Sequence, residues 1–185
     1  MLKKLRDYSG EFLPELKLEY FSSDARLELL KLSSRLYIGL DGFWYFAVQE
    51  KFGNDEALAC DIKAWERTAK YEMAKLTKQL NIQGNDVVAL MKALQLTPWY
   101  WTIKSRIEIE NQISAVLTVT YCPTLNALEK EGEGRESQIC DEVEHKVFKA
   151  YASFFSPDVE IKCLKSPLGR SKDDICCQWR FKLGS

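Results

Sequence analysis

With 185 residues, 46% of them apolar, the chain is long enough to bury one sizeable core, and a single domain over 1–185 is the expected organisation. Its 26 basic and 27 acidic residues nearly cancel and neither sign gathers into a block, which argues against a phosphate-tracking surface and so against a nucleic-acid partner. No stretch reaches the eighteen or so apolar residues of a membrane span, and polar residues interrupt the N-terminus before an apolar leader can form, so the expected setting is the cytoplasm, with the six cysteines reduced.

After a polar lead containing Pro14, residues 22–53 read as one long helix. Ser22 or Ser23 caps it, Asp24 suits its first turn, Lys51 its last, and Gly53 ends it. Its second half, L-Y-I-G-L-D-G-F-W-Y-F, is apolar nearly all round, which predicts burial on several sides. A second helix starts at Asn54 and carries Leu58, Ile62, Trp65, Ala69, Met73, Leu76 and Leu80 in one stripe. The turn between the two is too short for anything but an antiparallel helical hairpin. A third helix runs from about Asp86 to Leu96 and stops before Pro98.

The period then changes from helical to alternating. Ile103, Ile107 and Ile109, a turn at E-N-Q, and Ile113, Ala115, Leu117, Val119 and Tyr121 predict a β-hairpin. The polar stretch 123–137 reads as an exposed loop over at least its second half, and 139–155 as a helix. Two strands follow, V-E-I-K-C and I-C-C-Q-W-R-F-K, joined by a loop over 166–174. The order ααα-ββ-α-ββ predicts an α+β fold, with a helical part over 1–101 and an α+β part over 102–185 that carries a four-stranded antiparallel sheet. No glycine-rich phosphate loop or nucleophile elbow is present.

The cysteines are the first candidate site. Alternation puts Cys177 on the inward face with Ile175, Trp179 and Phe181, leaves Cys176 on the other face as a bystander, and lets a hairpin bring Cys163 to Cys177. Cys140 lies in the first turn of the last helix, where the helix dipole favours a thiolate. Cys122, Cys140, Cys163 and Cys177 are therefore candidate ligands for zinc or an iron-sulfur cluster, the alternative being small buried core residues. Cys60 reads as a packing residue and His145 as a solvated one.

Asp41 is the second candidate. It interrupts an apolar helix and needs a partner if buried. Counting from the Gly53 turn puts it level with Trp65, Glu66 and Arg67, so an ion pair to Arg67 or a hydrogen bond to the Trp65 indole competes with a ligand-binding role. Gly39 and Gly42 leave space beside it, and Trp44, Trp65 and Trp101 are candidate aromatic walls of a pocket between the helices and the sheet.

The segments R-L-E-L-L-K-L-S-S-R-L-Y-I-G-L-D-G-F-W-Y-F-A-V-Q-E-K-F-G, W-E-R-T-A-K-Y-E and L-M-K-A-L-Q-L, the Y-C-P step and the closing C-x-W-x-F together span residues 24–182. They resemble a prokaryotic family of cytosolic proteins grouped with L-2-amino-thiazoline-4-carboxylic acid hydrolases. The order of elements is also similar to the ligand-binding fold of four-vinyl reductase domains, haem nitric-oxide sensors and Golgi transport-particle subunits. That second resemblance implies a structural zinc held by C-terminal cysteines beside an apolar pocket, carried here by Cys163 and Cys177 with Cys122 and Cys140, although Lys162 stands where that pattern has Glu. The lone His145 on a charged helix face argues against haem.

The expectation is thus a cytosolic protein that binds a small apolar or aromatic ligand and holds a cysteine-ligated metal. The alternatives are a hydrolase acting on a C–N or C–S bond, with Cys140 or a metal-bound water as nucleophile, and an interaction module whose aromatics bury a homodimer interface.

Overall fold

The computed structural model describes residues 4–171 and 174–184, so Lys172 and Asp173 of the expected 166–174 loop, and the first three residues of the N-terminal stretch, lie outside the described residues. Ser22 starts α1, Ser23–Phe52, its side chain accepting from Ala25 N at 3.2 Å. Gly53, at φ +92°, both ends α1 and leads into α2, Asn54–Gln79, a backbone angle that would strain any side chain. The hairpin of helices forms as its sequence predicts. No helix of the described chain is long and apolar enough to cross a membrane.

The all-round apolar half of α1 is not buried on several sides. Only Ser34 and Tyr45 of the whole helix are buried, and Leu36, Leu40 and Phe43 are 63%, 69% and 76% exposed. One face of α1 lies against α2; on the opposite one Leu29 and Leu32 share a hollow with Leu16 and Leu18 of the N-terminal stretch while Leu36, Leu40 and Phe43 stay open, so apolarity here does not report burial.

Asp86 caps α3, Val87–Leu94, by accepting from Ala89 N at 2.8 Å. Six of its eight residues are buried, which makes this short helix the centre of the core. A 3₁₀ turn over Trp99–Thr102 leads into the sheet. Strands β1 (Lys104–Asn111), β2 (Ser114–Tyr121), β3 (Val159–Lys165) and β4 (Cys177–Leu183) pair antiparallel in the order β1-β2-β4-β3. The molecule is α+β, with helices first and a helical segment inserted between the two strand pairs.

That insertion is longer than expected. Residues 123–131, the first half of the polar stretch, form α4, Pro123–Glu131, while the second half opens into exposed turns over 132–134 before turning helical again. Pro123 at the first position is preset for helix, Cys122 caps it, Leu125 and Leu128 bury one face, and Gly132 closes it at φ +74°. A π-helical turn, Gln138–Val143, then runs into α5, Glu144–Phe155.

Alternation along β4 turns Trp179 and Phe181 inward, where Phe148 of α5 meets both edge-on at 5.2 and 5.3 Å between ring centroids. Beside them, Glu72 of α2 accepts from Tyr37 of α1 at 3.0 Å and from Tyr151 of α5 at 2.5 Å, while the Trp99 indole donates to the Tyr151 hydroxyl at 3.0 Å. This network ties three helices and the 3₁₀ turn together around one buried carboxyl.

Candidate functional site

The α1–α2 hairpin brings Asp41 level with Trp65, as counting from Gly53 predicts, and Trp65 hydrogen-bonds its carboxyl. Arg67 is exposed and takes no part in it. The second partner of Asp41 is Asp61, four residues before Trp65 and so on the same face of α2. Burial raises Asp41 to about 6, against the hydrogen bonds from Trp65 and Asp61. Asp61 rises to about 7, first through burial, then through the charges of Asp41 and Glu144 and its bond to Asp41, with Trp65 opposing. Glu144, at the start of α5, rises to about 7 through burial and then the Asp41 charge. Each of these acids disfavours ionisation of its neighbour, so the group holds its protons more tightly than exposed carboxyls do.

Facing these acids across an inner chamber of about 110 Å³ are four thiols, Cys122, Cys140, Cys176 and Cys177. Cys122 caps α4, its Sγ accepting from Leu125 N at 3.4 Å; Cys140 sits in the π-helical turn; Cys177 opens β4. Burial pushes Cys122 up to about 11. It pushes Cys140 and Cys177 higher still, with the Glu144 carboxylate as the second cause in each. The helix position expected to favour a thiolate at Cys140 is not there: the residue lies in a π turn ahead of α5 rather than in its first turn, and burial and Glu144 push its thiol up.

Two further cysteine expectations change. Cys176 precedes β4, so strand alternation does not govern it; it is 2% exposed and lines the chamber. Cys163 pairs with Trp179 across β3 and β4, not with Cys177, does not line the chamber, and has Asp141 as the charge acting on its thiol. The structure thus gathers Cys122, Cys140 and Cys177 and leaves Cys163 outside. Among the described residues no group of three or more His, Cys, Asp or Glu side chains has the geometry to hold a metal ion.

Outside the acid pair, a groove of about 660 Å³ runs between α1 and α4. Asp41, Asp61, Ile38 and Thr124 line both spaces, so the two carboxyls stand where groove and chamber adjoin. Gly39 and Gly42 form part of its floor, where an added Cβ would meet nothing within 4 Å. Its far wall is fixed by Arg135, which pairs with Glu131 and stacks on Tyr45 and Phe46 at 4.9 and 5.1 Å.

Of the expected aromatic walls, Trp65 lines the chamber, whereas Trp44 and Trp101 are exposed and line neither space; the Trp101 indole donates instead to Gln95 O at 2.7 Å. Trp99, Trp179 and Phe148 take their place. His145 is exposed, with Nε2 3.3 Å from Ile161 O.

No curated protein and no solved structure matches this chain. The profile of one family does match, over residues 19–183, nearly the whole chain and all of the elements that build the chamber and the groove. The chain therefore belongs to the Family of unknown function (DUF6125).

Proposed function

We propose that the protein binds a small amphipathic molecule, its apolar body in the groove between α1 and α4 and its polar end in the inner chamber. One observation carries this reading: groove and chamber meet at Asp41 and Asp61, and Asp61 is 4% exposed with its Oδ1 lacking any hydrogen-bond partner. A buried acceptor without a partner is destabilising by about 1–3 kcal/mol, which a ligand donor at that point would relieve. The thiols support binding over nucleophilic hydrolysis, since burial and Glu144 hold Cys140 and Cys177 in the protonated form. A zinc or iron-sulfur site in the chamber is the rival use of Cys122, Cys140 and Cys177, and elemental analysis of protein purified without a metal-binding tag decides it.

Binding is tested with a fluorescent apolar probe on wild type and Gly42→Leu. A Cβ at Gly42 meets nothing within 4 Å, so the new side chain starts in open groove space and the fold should stand while probe affinity falls. Unchanged affinity in a folded Gly42→Leu protein would remove the groove from the reading.

A second reading, self-association, rests on a different observation. Leu29, Leu32, Leu36, Leu40 and Phe43 follow one another at steps of three or four along the face of α1 opposite its buried side, all of them exposed. These side chains offer on the order of 600 Å² of apolar surface, most of the roughly 800 Å² that each partner of an ordinary dimer contributes. A second copy is the occupant such a stripe fits, because two α1 helices laid antiparallel about a two-fold axis near Leu36 each cover the other's stripe. Light scattering after size exclusion should give about twice 21.4 kDa, falling to 21.4 kDa in a Leu36→Glu, Leu40→Glu double variant. A wild-type monomer at high micromolar concentration would dismiss it.

A further inference from the structure

The inner chamber has an imbalance of charge. Asp41, Asp61 and Glu144 line it, and among the described residues no lysine, arginine or histidine does. Its remaining walls are largely aromatic and apolar, with Trp65, Trp99, Trp179 and Phe148 among them. Carboxyls buried without a basic partner either keep a proton or take a cation, and here Asp61 Oδ1 stands ready as an unpartnered acceptor.

We infer that the ligand's inner end is a positively charged organic group, an ammonium seated against Asp41 and Asp61 among the chamber's indole rings. This deepens the proposed binding function and rests on it. Three features select this chemistry. An ammonium donates several hydrogen bonds, and Asp61 Oδ1 accepts none from the protein. Aromatic faces attract a cation that has shed its water, an interaction that reaches about 2 kcal/mol when desolvated. Finally, every charged side chain among the chamber's described lining is a carboxyl, which selects a cation over an anion or a neutral group. A hard divalent ion needs oxygen ligands converging on one point, and no group of three or more described acidic, cysteine or histidine side chains has that geometry.

The groups facing the pair set the pH behaviour. Asp41 faces Tyr37, Trp65, Asp61 and Glu144, and Asp61 also faces Tyr45. In the free protein burial holds the acids up, so at pH 6 a proton must leave before the ammonium binds. Affinity therefore rises as pH increases through 6 to 7, and binding near neutrality releases protons.

Calorimetry with hexylammonium and its neutral counterpart hexanol tests this on the full-length protein. At pH 8 the ammonium should bind at least about tenfold more tightly, a preference lost in Asp61→Asn and Asp41→Asn variants whose melting confirms that they fold. Titration in two buffers of different ionisation enthalpy should show proton release at pH 6.5 and little at pH 8. Equal binding of amine and alcohol overturns the cation while leaving the groove reading in place. Failure of both probes to bind, with the Gly42→Leu comparison also flat, overturns both readings. Stoichiometric zinc that excludes hexylammonium and is lost in Cys122→Ala would make the chamber a metal site and overturn the ammonium as well.

Discussion

Keeping Asp41, Asp61 and Glu144 inside the protein is easier with the proton on than off, and this gives stability a pH signature. Their folded values, about 6, 7 and 7, lie above the ordinary 3.8 and 4.5. Groups raised in this way contribute stability that is complete below about pH 4 and lost as pH rises through 6 to 7. The melting temperature should fall between pH 5 and pH 8, and Asp61→Asn, which cannot ionise, should flatten that fall. A profile that rises across this window in the wild type would show the pair to be ionised and solvated. The Glu72 network makes a separate prediction. Tyr151→Phe leaves the Trp99 indole without its acceptor and Glu72 without one of its two donors, so urea unfolding should register a loss of about 1–3 kcal/mol. For the thiols, exposure orders reactivity: in native protein iodoacetamide should reach Cys163, on β3 outside the chamber, before Cys140 or Cys177. Peptide mass spectrometry of partly alkylated protein measures that order.

Among the elements, α4 shows how two leucines outweigh a polar stretch. Gly132 holds the left-handed angle that ends it, and Gly132→Ala should destabilise by about 1–2 kcal/mol because a Cβ is strained there, even though no atom lies within 4 Å to clash with it. The helical hairpin, the sheet and the inward set of β4 were legible in the sequence because each has a clear period bounded by capping or turn residues, as at Ser22, Gly53 and Asp86. The capping of α4 by a cysteine was not legible, since a thiol is a weak acceptor and caps are expected of Ser, Thr, Asp and Asn. Asp61 was overlooked because the stripe on α2 was read from apolar residues alone, although its place four before Trp65 was a signal. Glu144 was hidden differently. It sits among Asp141, Glu142 and Lys146, and the π turn before it shifts the helical phase, bringing one acid of that run to the chamber in a way that 3.6-residue counting does not foresee. The opposite misreading occurred on α1, where an apolar surface signified an uncovered face rather than a buried one.

At the scale of the molecule, the chamber belongs to no single element. α1, α2 and α5 supply its acids, the cap of α4 and the π turn two thiols, and the start of β4 with the residue before it two more. Cys177 is fixed by pairing with Val119, and Cys176 N donates to Val119 O at 2.8 Å, so the thiol wall depends on the last strand docking. A deletion of β4 should therefore abolish probe binding together with the sheet, whereas blocking the groove should abolish binding alone; circular dichroism alongside the probe titration separates the two outcomes. The glycines of the groove floor carry a consequence for descent with modification. Gly39 and Gly42 sit inside a helix, where alanine is favoured by about 1 kcal/mol, and neither has a neighbour that forbids a side chain. Selection for stability alone would replace them. Divergence at these two positions is thus a route by which relatives can exchange the size of what they accept for a sturdier helix, leaving the acids beneath untouched.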